Sequence, residues 1–378
     1  MPHHGQRRAD ATEQVGRRRP TRYSTRTGFL GPATLAPMTT TAPPLEIANL
    51  IADTEAEIRR LVADRDPVTA GVYEMCRYHL GLDGSGAPGG KRIRPLLGLL
   101  AYASITGDYR AALPGAAAVE LGHNFSLVHD DIEDADRERR HRPSLWTVYG
   151  VPQAINTGDM LFTLSRIALH RLSDLGFSDA KVLRLMRLYD ETCRLLCEGQ
   201  YLDIAASEQA DPISVERYFD MIGRKTAALI SASIEAGALL ATDDEAVIAR
   251  YRRFGWALGI AFQLNDDLLG IWGNERSTGK KPSDLARHKK TLPVLYAFEH
   301  ADAADRARLA AHDRDPDPSP EAVAEIVAIL ERTGAREYTR AEARRYRDEA
   351  LAELEAAGVV RPDVRARIEQ IIVSVISA

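Results

Sequence analysis

Cysteine is nearly absent from this chain: Cys76, Cys193 and Cys197 are the only three in 378 residues. An odd number without paired spacing excludes a disulfide framework. Cys193 and Cys197 stand one helical turn apart with no histidine or cysteine arranged around them, which excludes a zinc site. The chain therefore reads as a cytoplasmic protein with reduced thiols. Long apolar runs are missing too. None reaches the roughly 18 residues that suggest a membrane span, and the arginine-rich start has no apolar segment of the kind that marks a secretory signal. Alternation at a period of two is missing, so no segment reads as a strand. The body also lacks positive charge: the formal net charge is −5, yet the first 37 residues hold seven Arg against Asp10 and Glu13. The remainder of the chain is acidic by about ten charges, which excludes a body built to bind nucleic acid.

The chain does carry a helical pattern. Residues 1–44 are rich in Arg, Thr, Gly, Pro and Ala and bury little, so they read as a disordered leader, with Met38 as an alternative start. A transit peptide or a basic arm for an acidic partner are the other readings of this leader. From Leu45 to Ala378, apolar residues recur every three or four positions and Ala, Leu, Arg and Glu dominate. Breaks are expected near Gly81 to Gly90, Gly107 to Pro114, Pro143 to Pro152, Ser207 to Pro212, Gly273 to Pro282 and Asp313 to Pro320. The expectation is an all-α bundle of roughly ten or more helices. Pro114 fits the first turn of a helix that closes at an acidic run, Asp130-Asp131-Ile132-Glu133-Asp134. A second helix, from Phe254 to Leu269, carries Asp266-Asp267, and Gly270, Gly273 and Gly279 then provide a flexible loop.

Carboxylates one helical turn apart share a face, so Asp130 and Asp134 converge from one helix and Asp266 approaches from another. Burying such acids together is costly unless cations neutralise them. Hard oxygen ligands suit Mg²⁺, above all when substrate phosphates complete its octahedron. The glycine-rich run Gly89-Gly90-Lys91-Arg92-Ile93-Arg94-Pro95 supplies the opposite chemistry. There, backbone approaches an anion closely, and Lys91 and Arg94 face the same way at the start of a helix. Taken singly, each motif also reads as a solvated charged face.

Taken in order, the motifs resemble the trans-isoprenyl diphosphate synthases, the all-α polyprenyl synthetase family, over nearly everything after the leader. They are GGKRIRP at 89–95, HNFSLVHDDIED at 123–134 with Arg139-Arg140, Gly158-Asp159, GQYLD at 199–203, Lys225-Thr226, FQLNDD at 262–267, Gly279-Lys280 and KKTLP at 289–293. The resemblance implies an isoprenoid synthase bundle around a central cavity, a homodimer, and condensation of isopentenyl diphosphate with allylic diphosphates (dimethylallyl, geranyl, farnesyl). It implies three Mg²⁺ ions held by Asp130, Asp131, Asp134 and Asp266, with Asp267 holding a water or a position behind those ligands. Arg139, Lys225, Gln263, Lys280 and Lys289 match contacts to the allylic diphosphate. Lys91, Arg94, His123 and Arg140 match the pocket for isopentenyl diphosphate. Thr226 and Gln200 match residues beside the reacting carbons.

One departure stands out: Gly270 occupies the place of the family's usual third acid in the second motif, and Asn274 another place where acids are common. Product length is read from the helix upstream of Asp130. The resemblance implies that Phe125 acts as a floor that leaves room for a medium chain; Ser126 beside it is small, as are Gly122 and Ala118 one and two turns upstream. The favoured product is geranylgeranyl diphosphate, C20, with farnesyl diphosphate, C15, as the competitor. A non-catalytic partner subunit and a terpene cyclase on the same fold are the readings from other classes.

Overall fold

The period of three and four residues is realised as helix after helix. In the computed structural model of the chain, α1 spans Ile47–Leu61, α2 Ala70–Leu80, α3 Ile93–Thr106, α4 Leu113–Glu133, α5 Leu145–Tyr149, α6 Val151–Asp174, α7 Asp179–Ser207, α8 Val215–Ile222, α9 Ala228–Ala241 and α10 Glu245–Trp272. After them come α11 Leu292–His300, α12 Ala303–Asp313, α13 Pro320–Arg332, α14 Ala335–Ala356 and α15 Pro362–Val375. The structure describes residues 45–86, 89–209, 212–273, 284–358 and 361–376. The leader with Met38, and Asn274, Gly279 and Lys280, lie outside them. The described residues belong to one compact unit, Ala42–Ala378.

Helix starts obey local chemistry. Ser178, Ser214, Asp244, Asp302 and Ser319 each accept a backbone N–H of the next turn, satisfying donors that a helix start leaves open. Pro114 sits in the first turn of α4, as its position suggested. α9 is buried at every position from Ala228 to Leu240. A helix that is apolar or small on all sides belongs in the centre, and α3, α7 and α10 pack around it while α4 lies against α6 and α14 backs α10.

Three features differ from the sequence reading. Glu138–Arg139 pairs antiparallel with Arg142–Pro143, a ladder too short for any alternation to show. Its turn holds Arg140 and His141 at φ 54° and 60°, a doubly left-handed geometry that ordinarily selects Asn-Gly. Second, α10 runs on to Trp272, so Gly270 lies inside its last turn rather than opening a loop. Glycine weakens a helix but does not end one when the backbone ladder continues, and here Gly273 N–H still reaches Leu269 O at 3.0 Å. Third, α8 and α9 are joined by a π-helical turn, Gly223–Ala227, which carries the Lys225-Thr226 pair. Such turns re-aim side chains and recur at functional sites.

Candidate active site

α4 is buried along most of its length and ends in acids, so a helix from the core carries carboxylates to its end. Asp130 is partly buried and lines the central cavity. Burial pushes its carboxyl up to about 6, against the pull of Lys225. Asp134 is exposed at the C-cap, its N–H donating to Asp130 O at 2.8 Å. Desolvation raises its pKa as well, opposed by Lys225 and Lys289. Asp131 points elsewhere, because adjacent helical residues cannot share a face. It is 1% exposed, and Arg139 Nε donates to its two oxygens at 2.7 and 2.8 Å.

α10 repeats the division. Asp266 is exposed to the cavity, whereas Asp267 is buried and accepts three hydrogen bonds: from Tyr218 Oη at 2.5 Å, Leu292 N at 2.9 Å and Gln263 Nε2 at 3.0 Å. Burial still drives the Asp267 carboxyl up to about 7. Asp267 thus ties α10 to α8 and to the start of α11. The third acid that the sequence lacks has a counterpart in space. A Cβ at Gly270 would collide with the carboxylate of Asp284. Asp284, from the segment leading to α11, occupies the room that a larger residue at 270 would take.

The π turn sets the remaining polar groups. Lys225 forms an ion pair with Asp203. Burial pulls the lysine pKa down, but attraction to Asp203 and Asp130 overrides it and leaves it raised. Thr226, 8% exposed, donates to Gln263 Oε1 at 2.7 Å, which completes a chain Thr226–Gln263–Asp267. α7 presses on this turn at Gly199, where a Cβ would lie 2.7 Å from Lys225 Cα. Next to it, Gln200 donates to Glu133 Oε2 at 2.7 Å, and its own Oε1 is buried with no partner among the described residues.

The cations gather on the other flank. Arg94, in the first turn of α3, lies 3.1 Å from His123 Nε2. Burial, and then Arg94 itself, hold the His123 pKa well below the usual range, so the ring is neutral and accepts. Burial also pulls Arg94 and Arg140 down to about 10 each. Arg140 donates to Asn124 Oδ1 at 3.2 Å and His79 O at 3.3 Å. Two guanidinium groups whose charge burial penalises make a site primed for an anion. Arg92, two residues before Arg94, is structural: it is 2% exposed and paired with Glu120 at 2.7 Å. Lys91 and Lys289 are exposed, while Lys290 is buried against Asp313.

The cavity has a volume of about 460 Å³, within the span of small-molecule sites. Arg94, His123, Asp130, Lys225, Thr226 and Asp266 line its polar part. Phe125, Leu196, Leu229 and Phe262 line its apolar part, with Ser126 also at the wall. Asp131, Asp134, Asp267, Lys91, Arg139, Arg140 and Lys289 are not among its walls. The room expected at Gly122 and Ala118 is closed. Ala118 is fully buried, and a Cβ at Gly122 would meet the hydroxyl of Tyr189 and come within 2.9 Å of its Cζ.

Sequence reasoning passed over Asp203, Asp284, Tyr218 and Tyr189. Asp203 was within reach, as the last residue of GQYLD. Nothing local marks the other three, whose roles depend on which helix faces them. Among the described residues, no three His, Cys, Asp or Glu side chains converge tightly enough to enclose a metal ion. Mg²⁺ does not need such a cage, since it keeps waters and binds through one or two carboxylates plus phosphate oxygens. Asp130 and Asp266 in the cavity, with Asp134 beside them, are hard donors of that kind. The raised pKa of Asp130 marks a charge that the neighbouring cations do not fully offset.

The match to the polyprenyl synthetase family model covers residues 77–330. The (2E,6E)-farnesyl diphosphate synthase of Mycobacterium tuberculosis is 41% identical over 298 residues, 76% of this chain and 80% of its own length. A geranylgeranyl diphosphate synthase of the same species is 42% identical over 258 residues, 65% of this chain and 72% of its own. Among solved structures, the geranylgeranyl pyrophosphate synthetase of Pyrococcus horikoshii matches with a TM-score of 0.79 at 31% identity, covering 88% of this chain and 98% of that one. Sequence, fold and the arrangement of acids and cations about one cavity agree, and the chain belongs to the polyprenyl synthetase family as a short-chain trans-prenyltransferase.

Proposed function

We propose that the chain condenses isopentenyl diphosphate head-to-tail with allylic diphosphates in the presence of Mg²⁺, and that its main product is geranylgeranyl diphosphate. The observation that carries this reading is the cavity itself, where Asp130, Asp266 and Lys225 meet Arg94 and His123 above apolar walls. It offers two ways to hold a diphosphate, one through metal and one through guanidinium, beside a slot for hydrocarbon.

Asp130, Asp134 and Asp266 would hold Mg²⁺, which supplies Lewis acidity to the leaving diphosphate. Lys225 faces the same oxygens and stabilises the charge they gain as the carbon–oxygen bond breaks. Arg94, His123 and Arg140 bind the second diphosphate, and neutral His123 orients Arg94 without adding charge. The unpartnered Oε1 of Gln200 and the hydroxyl oxygen of Thr226, whose proton is engaged by Gln263, present negative dipole ends to the allylic carbons where positive charge builds. The homoallylic double bond attacks there, and the leaving diphosphate takes the proton that is lost. Phe125, Leu196, Leu229 and Phe262 keep water from the cation. Phe125 five residues before Asp130, with Ser126 beside it, supports C20. A homodimer completes the reading, favoured by the exposed apolar side chains of Val148, Val151 and Ile155.

Product analysis tests the reading. Incubation with Mg²⁺, isopentenyl diphosphate and each of the dimethylallyl, geranyl and farnesyl primers, then phosphatase and chromatography, is expected to give a C20 alcohol. A C15 alcohol alone would retain the reaction and move the floor. No condensation with any primer would point to a partner subunit, and a cyclic hydrocarbon to a cyclase. Replacing Lys91 separates these last readings, since a cyclase has no use for the isopentenyl pocket.

A further inference from the structure

Below Phe125 the interior does not open; it closes a second time. The ring of Phe125 meets Phe162 of α6 edge-on, with centroids 5.2 Å apart. Phe162 in turn stacks on Tyr189 of α7 at 6.5 Å. Tyr189 is 4% exposed, and its hydroxyl is fixed at 2.6 Å from Ser165 Oγ, which itself bonds to Phe162 O at 2.5 Å. That anchored phenol fills the notch at Gly122, one turn along α4 from Phe125. We infer that Tyr189 is a second floor: a specificity-determining residue that limits product length once a chain has passed Phe125. The inference rests on the proposed condensation.

The spacing turns this into a ladder. Phe125 and Gly122 are three residues apart, about 4.5 Å along a helix. An isoprene unit adds four chain bonds, and three backbone bonds of an extended peptide span roughly 3.3–3.6 Å, so one unit advances about 4.5 Å. Removing the first floor therefore admits one further unit before Tyr189 stops the tail. Removing Tyr189 alone changes nothing, because the tail never reaches it while Phe125 stands. Removing both lets growth continue.

The experiment compares the products of wild type, Phe125→Ala, Tyr189→Leu and Phe125→Ala/Tyr189→Leu, each with its thermal melt. Leucine keeps the core apolar but is too short to reach Gly122. If that variant does not melt cooperatively, Tyr189→Met fills the same space with a flexible chain that can move aside. The expected result is an unchanged product for Tyr189→Leu, one added C5 unit for Phe125→Ala, and two or more for the pair. A double variant whose product matches that of Phe125→Ala overturns the inference, as does lengthening by Tyr189→Leu alone. A structural role for Tyr189 would lower Tm and turnover in both backgrounds without moving product length. Wild type that condenses nothing removes the proposed function and this inference together; wild type that condenses, with no ladder, removes only the inference.

Discussion

At the scale of single residues, the division within each acidic pair separates chemistry from scaffolding. Asp130 and Asp266 face the cavity, while Asp131 and Asp267 turn inward to Arg139 and Tyr218. Lys225→Met removes the cavity cation proposed to face the leaving oxygens and is expected to lower kcat by about 10²- to 10³-fold with the fold intact, checked by kinetics and circular dichroism. Gly270→Asp is expected to lower activity, although it restores the acid usual in the family, because the new side chain collides with the Asp284 carboxylate. Adding Asp284→Ala should recover part of the loss, and a single variant with undiminished turnover would contradict the overlap. His141, at φ 60° in a turn suited to glycine, carries strain. His141→Gly should stabilise the chain by about 1 kcal/mol and raise Tm by roughly 2 °C, with turnover unchanged.

Among elements, the π turn between α8 and α9 sets the geometry of catalysis. Its extra width aims both Lys225 and Thr226 at the cavity, and α7 holds it in place through the close approach at Gly199. A methyl group there has to push the turn away from α7. Gly199→Ala is therefore expected to cost about 1–3 kcal/mol of stability, read by denaturant unfolding. It should also reduce kcat by more than it changes KM, since Lys225 and Thr226 move while the proposed isopentenyl pocket on α3 and α4 does not. Equal effects on both parameters would mean that the turn positions substrate rather than charge.

Across the whole molecule, Asp130 and Asp266 meet Arg94 and Lys225 around one cavity, and burial penalises the charge of Asp130 and of Arg94, so stability is linked to what binds. Mg²⁺ with inorganic pyrophosphate should raise Tm, because a ligand bound only by the native state stabilises it by mass action. The effect depends on pH with a definite sign. The Asp130 carboxyl, raised to about 6, holds its proton more tightly in the folded chain than in an unfolded one. It must lose that proton to meet a cation, so below pH 6 each further unit weakens the site by about tenfold. A larger Tm shift at pH 8 than at pH 5 is expected, and the reverse order would exclude Asp130 as a metal ligand. Among the described residues no helix is long and apolar enough to cross a membrane, in line with the sequence.

The run from Leu45 announced its helices through period, proline and glycine, and breaks at Gly107, Ser207, Trp272 and Asp313 fall where composition placed them. Helix ends are written in neighbouring residues, which is why they were legible. The Asp130 and Asp266 motifs were legible only through their order with the basic motifs, since either acidic run alone also reads as a solvated face. The direction each acid faces was not legible. Asp130 and Asp131 are adjacent letters, and only the packing of α4 against its neighbours sends one to the cavity and the other to Arg139. The same holds for Gly122, which sequence reads as space and α7 fills with Tyr189, and for Gly270, where Asp284 arrives from a distant segment. Periodicity and charge are local and one-dimensional, so the helices and the kind of chemistry follow from the order of residues alone. Which side chain fills which gap depends on contacts between residues far apart in the chain, and these exist only once the helices have packed.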